Sequence, residues 1–132
     1  VFDLGGREIE VVFTPGHTPG STTFIDRKNH YGFSSDAFGS GNLLVFTNLS
    51  TQSATCQRMK RFIEKYDIKY FYPGHYWGDN LETYQRIKDV RKICDGILDG
   101  SIKPNPKGSN RSLPHVVEMD GVKINYSDAG VR

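Results

Sequence analysis

Residues 8–13 (EIEVVF) are a short apolar-rich run between polar stretches, and the run stops at Thr14-Pro15-Gly16. That pattern predicts a strand closed by a turn. Thr22 to Asp26 is a second strand, β-branched and aromatic, and Arg27-Lys28-Asn29 turns it into a third over 30–34. Residues 37–50 read as a loop. Cys56, Met59, Phe62, Ile63 and Tyr66 then recur at helical spacing, which predicts a helix over 51–66. Residues 68–72 form a compact strand stopped by Pro73-Gly74. A second helix is expected from about Asn80, with Asp79 and Glu82 as a capping box, a stripe running from Leu81 to Leu98, and Gly100 as its stop. After a Pro-, Gly- and Ser-rich loop over 103–114, Asp120-Gly121 joins two β-prone runs, 116–119 and 122–126, into a hairpin.

The order of three strands, helix, strand, helix and hairpin implies an α/β (α+β) chain: a mixed sheet with helices on one face plus a C-terminal hairpin. The other sheet face must then bury something or be unusually polar. At 132 residues the length is that of one domain, with a core over 1–100 and a tail over 101–132. The chain opens on Val1-Phe2-Asp3-Leu4, which reads as a strand already under way. That is the expectation of a piece of something longer, set against a domain edge or a processed terminus.

Composition narrows the function classes. A net charge of +2 with dispersed lysines and arginines gives no nucleic-acid or membrane-surface patch. No apolar stretch approaches the roughly 18 residues of a membrane helix. Cys56 and Cys94 fall on apolar helix positions, form no CxxC pair, and suit reduced thiols in the cytoplasm. Sequons at Asn48, Asn110 and Asn125 are read as chance matches.

His17, Asp36 and His75 share a setting. Each directly follows an expected strand and lies in a glycine-bearing turn: TPGHTPGS, FSSDAFGSG and YPGHYWGD. Loops at one sheet edge can gather distant residues, and two imidazoles with a carboxylate suit Zn²⁺, Fe or Mn²⁺. The alternative is that these are turns and nothing more. His30, which opens a strand, and His115, expected on an exposed loop, lack such motifs.

TPGHTPGST, SSDAF and YPGHYWGD, in that order and with a helix between the last two, resemble the last three metal-binding motifs of the metallo-β-lactamase-fold hydrolases. The resemblance covers residues 1 to about 100. It implies that His17 serves one metal, that His75 serves a second, and that Asp36 bridges both as the catalytic carboxylate. The cofactor would be one or two zinc ions, with iron or manganese as alternatives, and a metal-bound hydroxide would attack the substrate. The family has glycine before the bridging aspartate where this chain has Ser35, a departure that bears on the local backbone angle more than on the ligand. The family's His-x-His-x-Asp-His motif is absent. The resemblance therefore makes the chain the C-terminal βα half of an αββα sandwich, weakly active by itself, completed by a missing N-terminal half or by forming a homo-oligomer.

Three functions stay open: part of a metallohydrolase acting on a small-molecule substrate, a non-catalytic metal- or partner-binding half-domain, or a metal-free structural domain. Tyr76, Trp77 and Phe38 are the candidate aromatic walls for a substrate. Lys103 and Lys107 would reach over the site or lie in solvent.

Overall fold

The apolar runs expected as the first strands do form strands. The computed structural model describes residues 2–105 and 112–132, with Phe2 and Ser40 described by backbone alone. Strands β1 (Phe2–Asp3), β2 (Glu8–Phe13), β3 (Thr22–Asp26), β4 (Tyr31–Ser35) and, after a short strand β5 (Asn42–Leu44) and helix α1 (Leu49–Tyr66), β6 (Tyr70–Pro73) are followed by α2 (Tyr84–Asp99) and by β7 (His115–Met119) and β8 (Val122–Tyr126). A five-stranded sheet has the order β1-β2-β3-β4-β6, antiparallel except for the β4–β6 pair. β5, β8 and β7 form a second, three-stranded sheet, with β5 and β8 parallel.

The mixed α/β architecture is the expected one. Val12 and Ile25 from the large sheet, Met59 and Ile63 from α1, and Val90, Ile93 and Cys94 from α2 meet in one core. Residues 101–132 are not an appendage, because Val117, Val122, Ile124 and Tyr126 belong to that same core. Asp120 and Gly121 both take positive φ, 55° and 76°, as a two-residue hairpin turn with the strands' twist requires. The sequons at Asn48 and Asn125 are engaged in the fold: Asn48 caps α1 through the Thr51 amide, and Asn125 is buried between β5 and β8. Asn110 and Lys107 lie outside the described residues.

Two expectations shift. α2 starts at Tyr84 with Thr83 as its cap, not at Asn80, because Glu82 exchanges both backbone hydrogen bonds with Phe71 and so extends the sheet. Part of the expected loop over 37–50 is β5, whose parallel partner β8 lies some eighty residues further along the chain.

The outward face of the large sheet is neither buried nor polar. Val11, Phe24, Phe33 and Tyr72 stand directly opposite one another across four strands. Phe13 is 69% exposed at the end of that face, and Phe24 and Phe33 are exposed as well.

Candidate metal centre

β2 ends at a loop fixed by backbone acceptors. The Thr14 amide donates to Ser21 O and closes the turn, and the Thr14 and Thr23 hydroxyls are 3.0 Å apart beneath it. Thr55 of α1 donates to Pro15 O, Thr47 donates twice to Gly16 O, and the Phe46 amide donates to His17 O. The Pro-Gly pairs restrict this loop, but its carbonyls are what tie it to α1 and to the 46–47 segment. His17 emerges with its side chain 21% exposed. Its Nδ1 is 2.6 Å from Leu44 O, an acceptor only, so Nδ1 carries the proton and donates. Nε2 is left with a free lone pair, the tautomer a metal-ligating histidine needs. Phe46 packs edge-on against the ring at 5.5 Å.

Asp36 follows β4 at the point where its pairing with β6 shifts register. Ser35 takes φ 52°, the left-handed region that favours glycine. The serine holds that angle at a cost of about 1–2 kcal/mol. The Ser35 carbonyl then accepts from the Gly74 amide, which joins the Asp36 turn to the His75 turn. A Cβ on Gly74 would lie 2.6 Å from Asp36 Oδ1, so only glycine lets the carboxylate in so close.

The three expected ligands converge. Asp36 Oδ2 faces His17 Nε2 at 4.0 Å, and Oδ1 faces His75 Nε2 at 3.4 Å. Each carboxylate oxygen is therefore turned to a different imidazole. Asp36 Oδ1 is a buried atom without a hydrogen-bond partner. A cation between it and His75 would satisfy it. Among the described residues no group of three or more His, Cys, Asp or Glu side chains could by itself hold a metal ion. What the geometry gives is one carboxylate set between two imidazoles, which would offer a metal at most two protein donors on each side. Nitrogen and oxygen donors of this kind fit zinc, iron or manganese. A zinc site takes three or four protein ligands, so further donors are needed on both sides.

The remaining candidates separate. Tyr76 and Trp77 are exposed beside His75. Phe38 is 1% exposed in the core and offers no wall to a substrate, because the short 3₁₀ turn after it folds the ring inward. The exposed aromatic beside His17 is instead Phe46, in the segment expected to be loop. His115 is half-buried on β7, its Nε2 beside Asp128 and its ring near Tyr126, rather than on an exposed loop. His30 contacts Tyr66 O from the β3–β4 turn. Gln52, fully buried, touches the loops of both His17 and Asp36. Its signal in the sequence was a polar residue on the stripe of Cys56, Met59 and Ile63.

Comparison with known proteins follows the same lines. No family model matches the chain. It is 32% identical over 90 residues to the acyl-coenzyme A thioesterase MBLAC2 of Gallus gallus, covering 66% of this chain and 32% of that protein. The Homo sapiens protein of the same name is 30% identical over the same length. The chain thus spans about a third of the length of the curated relatives it matches. A metallo-beta-lactamase family protein of Thermus thermophilus superposes with a TM-score of 0.50 at 18% identity, over 79% of this chain and 37% of the other. An archaeal metallo-beta-lactamase superfamily protein of Sulfolobus tokodaii superposes with a TM-score of 0.51 at 17% identity, over 83% and 41%. Members of that superfamily typically bind metal ions. Three strand-end motifs, a curated sequence match and two structural matches agree on the metallo-β-lactamase fold for this chain.

Proposed function

We propose that this chain is the C-terminal portion of a metal-dependent, dinuclear zinc hydrolase acting on a small-molecule substrate. The observation that carries the reading is the Asp36 carboxylate, with one oxygen toward His17 and the other toward His75. His17 and Asp36 would hold one ion, and Asp36 and His75 the other. The ions, when bound, supply Lewis acidity and an acidified water at neutral pH. The chain's own part is orientation. Leu44 O fixes the His17 tautomer, and Ser35 and Gly74 fix the carboxylate between the two imidazoles.

With two protein donors on each side, the isolated chain binds metal weakly and turns over little. The missing donors come from an upstream segment or from a second copy seated on the open sheet face. The exposed aromatic side chains on that face support such a partner. They also favour the second reading, a non-catalytic half-domain whose task is to bind that partner. The curated relatives are named acyl-coenzyme A thioesterases, which makes an acyl-CoA thioester the first substrate to try. Phe46, Tyr76 and Trp77 would flank the acyl group. The compartment proposed is the cytoplasm, in line with two free, buried cysteines. Among the described residues no helix is long and apolar enough to cross a membrane.

Thiol release from acyl-CoA tests the proposal, measured with the chain alone and with a co-expressed upstream segment, each in zinc and in chelator. Zinc-dependent release that rises at least tenfold with the added segment is expected. Equal and negligible release in all four conditions, with no zinc retained, rejects the hydrolase in favour of the half-domain.

A further inference from the structure

We propose that Gln52 is a positioning residue that sets the spacing between His17 and Asp36, an inference that rests on the metal-centre reading above. Gln52 lies in the second turn of α1, on the inward stripe with Cys56, Met59 and Ile63, and is fully buried. Its Nε2 donates to the carbonyl of Ala37, the residue after Asp36, at 3.1 Å, and approaches Cys56 Sγ at 4.0 Å. Its Oε1 faces Gly16, the residue before His17, where a Cβ would lie only 1.7 Å from that oxygen. One planar amide therefore touches both ligand loops at once.

The orientation of the amide is fixed. Exchanging its oxygen and nitrogen would set two carbonyl oxygens against each other at Ala37. It also carries a penalty, because Oε1 is buried without a hydrogen-bond partner. A methionine at this stripe position would fill the same volume with no such oxygen. Packing alone thus favours an apolar residue, and the amide is explained by what it joins. Thr55, one turn further on, holds only the His17 side, through Pro15 O. Gln52 spans both, and it does so from a helix, the kind of rigid support that holds ligand geometry best. Gly16 is glycine for the same reason, since any side chain there would displace the amide.

Gln52 touches no ligand atom, so its effect belongs in metal affinity and coordination geometry rather than in chemistry. The test is zinc competition against a chromophoric chelator, with the visible spectrum of the cobalt form, on the wild-type chain and on Gln52→Met, His17→Ala and Ile63→Val. Gln52→Met is expected to stay folded and to lose about 10- to 100-fold in zinc affinity, the range found for outer partners of metal ligands, with an altered cobalt spectrum. Ile63→Val, on the same helix but clear of both loops, should lower stability and leave affinity unchanged. If Gln52→Met unfolds, Gln52→Leu is read by the same comparison. Should the folded variant bind zinc like wild type with an unchanged cobalt spectrum, while His17→Ala does not bind, the positioning role is wrong and the metal centre stands. Should wild type bind no zinc, or His17→Ala bind as wild type does, the metal centre falls and this inference with it.

Discussion

His17 and His75 each follow a Pro-Gly pair at the end of a strand, yet the two turns are held very differently. The His17 side chain is 21% exposed, its Nδ1 is committed to Leu44 O, and its loop is bonded to α1 and to the 46–47 segment. The His75 side chain is 75% exposed, and among the described residues its ring nitrogens have one polar neighbour in Asp36. Apart from the Gly74 bond to Ser35 O, its loop is closed by local contacts: Asn80 donates to His75 O, and the Trp77 amide donates to Asn80. The same tripeptide therefore gives one imidazole that the fold already holds and one that it leaves almost unheld. Pro and Gly shape a turn, but the partners of its carbonyls decide how rigid it is.

Replacing the group the two turns share should have the largest effect. Asp36→Ala removes a donor from both sides and is expected to abolish zinc binding, measured by competition against a chromophoric chelator at wild-type saturating zinc. Binding of one full equivalent would show that the carboxylate does not join the two sites.

The histidines should then divide by rigidity. His17→Ala is expected to weaken zinc by more than about 100-fold, beyond the usual effect of an outer partner. It also leaves Leu44 O without its donor, at about 1–3 kcal/mol of stability where that carbonyl stays buried. His75→Ala should weaken zinc less and shift stability by under about 0.5 kcal/mol, as exposed substitutions do. Equal losses in chelator competition and urea unfolding would erase the contrast.

The two glycines sharpen it. Gly16→Ala collides with Gln52 and should destabilise the metal-free chain by about 1–3 kcal/mol, the usual cost of overpacking. Gly74→Ala presses on Asp36 Oδ1 and should weaken zinc with less loss of stability. Thermal unfolding and zinc titration of both variants separate the two outcomes.

The smallest effect concerns β3, the strand that follows the His17 turn. Asp26 is buried, which by itself would raise its pKa, but hydrogen bonds from Asn29 and Arg7 outweigh burial and hold the carboxyl below the ordinary range. Its folded pKa is the lower one, so its stabilisation is complete above the unfolded value of about 4 and fades as pH falls through the folded value. Arg7→Met should flatten that acid limb in a stability–pH series and leave the neutral-pH zinc affinity of both turns alone.

Much of this was legible locally. The apolar run EIEVVF and the Asp-Gly turn read correctly because backbone sterics and turn chemistry act over neighbouring residues. His17, Asp36 and His75 could be picked out because a rigid glycine turn at each strand end leaves a mark in the sequence. Where reading failed, distant partners had prevailed. Glu82 left its expected helix to pair with Phe71, Leu43 entered a strand because Ile124 lay beside it, and Phe38 turned into the core.

By itself, then, the sequence determined the strand runs and the helix period, the turn chemistry and three candidate ligands, all properties of short stretches of chain. The tertiary structure alone decided that Asp36 offers one oxygen to each histidine, that Leu44 O selects the His17 tautomer, and that Gln52 lies between two loops. Those arrangements depend on hydrogen bonds and contacts between residues tens of positions apart, and no local pattern encodes a partner that only folding brings near.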